Sequence, residues 1–242
     1  PPQNSFELGS LPWQQTLAIH EYRHVQQFNN FRVGLSKAFY YLFGEEGLAF
    51  ANDLSVPNWF WEGDAVYQET LVSRQGRGRL PLFLAGYQSL WLSGKKYSWM
   101  KLRNGSLRDY TPDHYPLGFM MVAFGREKYG KDFWRKTAGD AAAFKGLFYP
   151  LQKAIQRNAG ISFRQYRKEA TGYFSSQLPS AAFLDSNAVY GHQQPHFVAD
   201  ESFPQFTDSN HLIYLKSSDR KPPQVVRRDI ISQKETRIGF RA

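Results

Sequence analysis

Cysteine is absent from the 242-residue sequence. That removes disulfide frameworks, thiol nucleophiles and cysteine-ligated zinc in one step, so any metal must sit on His, Asp or Glu. Long apolar runs are also missing. The longest candidate, Leu117 to Phe124, is broken by Gly118 and followed by Gly125 and Arg126, well short of the ~20 residues that a membrane-spanning helix needs. No secretory leader is visible, but the chain opens on Pro1-Pro2 rather than Met; we read this start as cut, so the missing leader carries no information. Collagen-like, low-complexity and disordered compositions are excluded by 42% hydrophobic and 17% aromatic residues, and the length suits one domain with an appendage or two small ones.

Acidic residues are scarce in one place. Residues 1–100 hold eight basic and eight acidic side chains, 101–170 hold fourteen and six, and 171–242 hold eight and seven, so the middle segment carries most of the net charge of +9. Such a segment could meet an anionic envelope surface. Its charges recur between apolar residues, as in Phe163-Arg164-Gln165-Tyr166-Arg167-Lys168, which also fits the wet faces of amphipathic helices. No nucleic-acid recognition motif accompanies it, and no nucleic acid is expected.

The periodicity predicts a mainly α chain with a short all-β end. Helices are expected over Trp13 to Asn29, Val33 to Phe43, Glu45 to Asp53, Pro57 to about Arg74, Leu80 to Leu92, Pro112 to Tyr129, Lys131 to Thr137, Leu147 to Asn158 and Ser162 to Phe174. A connection at 177–200 follows, then strands at Leu212 to Leu215, Gln224 to Ile231 and Thr236 to Phe240. The expected division is a helical domain at 1–176, a linker at 177–200 and a β segment at 201–242.

His20-Glu21-Tyr22-Arg23-His24 is an HExxH pattern. Residues i and i+4 lie one turn apart on one helical face, so two imidazoles can converge on one ion while the intervening Glu projects toward the ion's open position. With 6 His in the chain, the pattern arises by chance about 0.006 times per sequence of this composition, which makes coincidence a poor explanation. The two His could still be residues that merely share a face. The segment Trp59-Phe60-Trp61-Glu62-Gly63-Asp64-Ala65 offers an acid near a helix start among aromatics that would keep a site dry.

Together, His20-Glu21-x-x-His24-x-x-Gln27 and Pro57-x-Trp59-x-x-Glu62-Gly63-x-Ala65-x-Tyr67 resemble the gluzincin metallopeptidases of the peptidase-MA-like group. His114-Tyr115-Pro116-x-Gly118-Phe119 and Tyr129-Gly130-Lys131-Asp132-Phe133-Trp134 are similar to helices that follow the ligand helix in that group, so the resemblance covers roughly residues 11–175. It implies Zn2+ held by His20, His24 and Glu62, with Glu21 as general base acting on a zinc-activated water. Tyr115 would donate to the oxyanion, and His114 is an alternative donor. Asp64 and Glu69 could replace Glu62 or hold a ligating His from behind. In the family a strand-rich region upstream of the HExxH helix holds the peptide at its edge strand; here 19 residues precede His20. Tyr22 and Arg23 read as packing or surface residues, and His192, His196 and His211 receive no role.

Phe203-Pro204-Gln205-Phe206-Thr207-Asp208, His211-Leu212-Ile213-Tyr214 and Glu235-Thr236-Arg237 are similar to the opening of a TolB-like propeller repeat. One repeat does not close a propeller, which needs several blades, so a longer protein is expected. The implied function is zinc-dependent hydrolysis of a peptide or protein substrate, in a secreted, periplasmic or cell-surface protein. Two rivals stand beside it: a binding or scaffold protein with a structural or vestigial metal and a working propeller surface, and an envelope adhesion module using 101–170. If the β segment is a lone blade, a nonspecific protease is expected to cut first after about Gln177 and leave a helical core near 1–175. Hydrogen exchange as slow in the tail as in the HExxH helix, in a monomer, would show this boundary to be misplaced.

Overall fold

The computed structural model describes residues 11–177, 199–218 and 221–239. Among these residues the helices are α1 (Trp13–Asn30), α2 (Gly34–Ser55), α3 (Asn58–Val72), α4 (Pro81–Leu92), α5 (Trp99–Asn104), α6 (His114–Tyr129), α7 (Phe133–Ala142), α8 (Pro150–Ala159) and α9 (Phe163–Ser175). The strands β1 (Ala199–Asp208), β2 (His211–Ser218), β3 (Lys221–Asp229) and β4 (Glu235–Arg237) form one antiparallel sheet in sequential order. The chain is therefore mainly α with a short all-β C-terminal segment. Its described residues cluster into two compact units, 11–104 with 112–177, and 105–111 with the strands.

Local chemistry sets the helix ends. Asp113 accepts a hydrogen bond from the Tyr115 amide to cap α6, and Ser162 accepts one from the Gln165 amide to cap α9. Gly160 stops α8 in the left-handed region, at φ 73°. Two elements differ from the periodicity. The break expected between Phe43 and Glu45 is one non-helical residue, Gly44, inside a single α2. Trp99–Asn104 is helical where the pattern is irregular, because Trp99 packs against Trp59 and Phe163 in the core.

α6 is the axis of the helical unit. Leu117, Phe119, Met120, Met121, Val122 and Phe124 are all buried, as expected of a helix that is apolar on every side. The Trp134 indole donates to the Val122 carbonyl and the Tyr166 hydroxyl donates to the Met121 carbonyl, tying α7 and α9 to it. α3 crosses α6 at Gly63 and Gly118, where a Cβ on either glycine would overlap the backbone of the other helix. The backbones therefore meet with no side chain between them.

In the sheet, Tyr214 and Val226 pair across β2 and β3 and are the buried residues of the described strands. β1 starts at Ala199, inside the connection expected at 177–200, because Ala199 and Asp200 pair with Ser218 and Ser217. Ile230 and Ile231, expected at a strand end, lie beyond β3. Residues 178–198 of that connection, with His192 and His196, lie outside the described residues, as does Phe240.

Gly118→Ala is expected to destabilise the helical unit by about 1–3 kcal/mol or more, since its methyl group would enter the Trp59 carbonyl. Gly139→Ala, at a helical position with nothing near its Cβ, should instead stabilise it by up to ~1 kcal/mol. Denaturant unfolding of the two variants checks the contrast; equal midpoints would contradict it.

Candidate metal centre

α1 brings His20 and His24 to one face, one turn apart, and α3 packs against that face with Glu62. The Nε2 atoms of the two imidazoles lie 3.1 Å apart. Glu62 Oε2 is 3.0 Å from His20 Nε2 and 3.6 Å from His24 Nε2. Ligand atoms around a tetrahedral ion with bonds of 2.0–2.1 Å are about 3.3 Å apart, so these separations fit one ion of that size. Among the described residues, this is the group of His and carboxylate side chains able to hold a metal.

Behind the three donors lies a second set of buried polar groups. His20 Nδ1 is 2.6 Å from Glu69 Oε1, two helical turns beyond Glu62 on α3. Arg77, from the turn after α3, donates Nε to Glu69 Oε2 at 2.9 Å and Nη2 to Glu69 Oε1 at 2.5 Å. Arg77 Nη2 also lies 3.0 Å from His20 Nδ1. On the other side, His24 Nδ1 is 2.8 Å from Gln27 Oε1, and Gln27 donates to Asp64 at 2.9 Å. Asp64 further accepts Arg23 Nε at 2.7 Å. When each imidazole is neutral with its Nδ1–H directed at the outer oxygen, each Nε2 turns a lone pair inward, the tautomer that ligation through Nε2 requires.

The electrostatics favour a cation at the centre. Burial would lower the His20 pKa, but the Glu62 and Glu69 carboxylates outweigh it and raise it to about 9. The hydrogen bond that Glu62 accepts from its ring is the main reason that His24 is also raised. Burial would raise Glu62, yet the two imidazoles hold it well below the ordinary carboxylate range. Glu69 is likewise lowered, because Arg77 and His20 override the cost of its burial.

The other expected site residues take varied positions. The Tyr115 ring is 6.2 Å from His20 and its hydroxyl faces Glu62; burial and that carboxylate push it up to about 12, so it stays protonated and able to donate. His114 bonds to Asp113 at 2.8 Å and lies 3.0 Å from the Asn58 amide, without joining the three donors. Glu21 is exposed on α1, in line with exposed Leu17 and Val25, and makes no side-chain bond among the described residues. Asp64 and Glu69 lie outside the group of three converging donor atoms; Glu69 bonds His20 directly, and Asp64 bonds Gln27, the partner of His24.

Of the aromatics, Trp59 and Phe60 point into the core, and Trp61 is the one beside the site, 6.4 Å from His24. No apolar side chain of α1 is buried. Its buried residues are Thr16, His20 and Gln27, because the packed face carries the polar network. Arg77 and the pairing of Arg23 escaped the sequence reading. The first sits in an aperiodic Gly/Arg turn, and the second depends on a helix contact. Compared with models of known protein families, with curated proteins and with solved structures, the chain matches none.

The His20 shift has a testable consequence in protein kept free of metal by a chelator. A folded-state pKa of about 9 against 6.5 unfolded means that the stabilisation is complete below pH 6.5 and is lost as pH rises through 9. The thermal midpoint should fall across that interval, and His20→Gln should flatten the fall. A flat profile in the parent protein would contradict the assigned electrostatics.

Proposed function

We propose that this chain is a zinc-dependent hydrolase of peptide bonds, of the gluzincin type. The observation that carries the reading is the convergence of two Nε2 atoms and one carboxylate oxygen within 3.6 Å, each imidazole being oriented from behind. Two imidazoles and one carboxylate suit zinc and leave a position open. When bound, the ion would supply a Lewis acid and would lower the pKa of a water in that open position. Glu21 takes the proton of the attacking water and returns it to the leaving amine. The Tyr115 hydroxyl donates to the oxygen that becomes negative as the carbonyl is attacked. Glu69 and Gln27 keep both imidazoles aimed through these steps, and Asp64 anchors Gln27.

The four-stranded meander supports reading the β segment expected at 201–242 as one propeller blade, and a longer secreted, periplasmic or cell-surface protein is the setting we assign. No described helix is long and apolar enough to cross a membrane. In the basic middle segment, Lys128, Arg135, Lys145 and Arg157 pair with Glu169, Asp132 and Asp140. Lys131, Lys136 and Lys153 are left exposed for an anionic envelope surface.

Elemental analysis of protein purified without a histidine tag should give one zinc per chain, lost in His20→Ala. Glu21→Gln should keep the zinc, because Glu21 is no ligand, and lose peptide cleavage by at least about a hundredfold. Equal cleavage by Glu21→Gln and the parent would overturn the mechanism. Bound zinc without cleavage of any member of a broad peptide library would favour the binding-protein reading.

A further inference from the structure

A cleft of about 760 Å³ opens on the helical unit between α4, α5 and α9 and shares no lining residue with the candidate metal centre. One part of its wall is aromatic, from Tyr87, Trp91, Tyr97 and Trp99. The remainder is cationic, with Lys95, Lys96, Arg164, Arg167 and Lys168, and no Asp or Glu lines it. Exposed lysines alone would be unremarkable on a chain of this charge. Three features make this cluster different.

First, its cations are unpaired. Lys95, Lys96, Arg164 and Lys168 are exposed, form no ion pair among the described residues and converge on one cleft that no carboxylate lines, whereas the exposed Lys131, Lys136 and Lys153 are not among its lining residues. Second, Arg167 is spread over the Trp99 and Phe163 rings, 4.4 and 5.1 Å from their centroids. Its Nε is buried with no acceptor, and burial and the neighbouring Arg164 both weaken its hold on a proton. An anion in the cleft would offset the repulsion between Arg164 and Arg167. Third, the volume lies in the range of small-ligand sites, which combine apolar walls with a few polar groups.

We propose that this cleft binds a small organic anion, an aromatic or similarly flat apolar body carrying a phosphate or carboxylate. The body lies against Trp91, Tyr97 and Trp99, and the anionic group meets Arg164, Arg167 and Lys168. The proposal rests on no part of the zinc reading, and it is tested on metal-stripped protein.

Calorimetric titration of the full chain with phenyl phosphate and with 2-naphthoate should show saturable binding of at least one of them. Inorganic phosphate and benzyl alcohol, each lacking one half of the ligand, should bind at least about tenfold more weakly. Arg164→Ser with Lys168→Ser should weaken binding about tenfold or more; both residues are exposed, so an unchanged thermal midpoint should accompany the loss. The proposal is overturned if neither probe binds at millimolar concentration, if benzyl alcohol or inorganic phosphate binds equally well, or if the double variant binds as tightly as the parent. Tighter binding of an oligothymidylate strand would also overturn it, by showing an extended polyanion surface instead of a small-ligand site.

Discussion

At Gly63 and Gly118 the backbones of α3 and α6 meet without intervening side chains. α6 carries the helical core on all sides, and α3 carries Glu62, Asp64 and Glu69, so this crossing fixes the acids of the candidate metal centre relative to the core. Tyr115, in the first turn of α6, reaches Glu62 across the same crossing. A larger residue at either glycine would push the helices apart. The acids would then shift relative to Tyr115 by a distance comparable with a bond length, which is large on the scale at which ligand geometry matters. Glycine here serves close approach rather than an unusual backbone angle.

The seating of α1 on α3 has a different character. Helices commonly pack through apolar stripes, but α1 buries His20 and Gln27 and leaves Leu17, Tyr22 and Val25 exposed. Burying so many polar groups costs free energy unless each finds a partner. Most do: Glu69 takes Arg77 and His20, and Asp64 takes Arg23 and Gln27. The one net demand left at the centre is for positive charge, between two inward-facing imidazole nitrogens and a carboxylate. A proton or a divalent ion meets that demand, which links folding of this face to pH and to metal.

Within the basic segment folding pairs some cations and leaves others unpaired, both in the cleft and on the exterior. Asp132, Asp140 and Glu169 neutralise cations on the helix exteriors, while the cleft beside α9 gathers cations without a carboxylate. Net charge gave no hint of this, because it sums over positions that folding either pairs or isolates.

Fold class and the shared face of His20 and His24 were legible from the sequence alone, while Glu62 was singled out by a resemblance. Both depend on local periodicity: helix-period hydrophobicity through Phe174, and the i,i+4 spacing that puts His20 and His24 on one face of any helix containing them. Glu62 and Glu69 are seven residues apart, two turns on one face, so their shared orientation was also readable. Their division into donor and orienting partner was not, since it depends on which turn of α3 lies opposite His20. Arg77 sits in an aperiodic turn, the Arg23–Asp64 pair joins separate helices, and the cleft draws on four of them. Such contacts join residues far apart in the chain, and only the packing of the helices decides which of them meet.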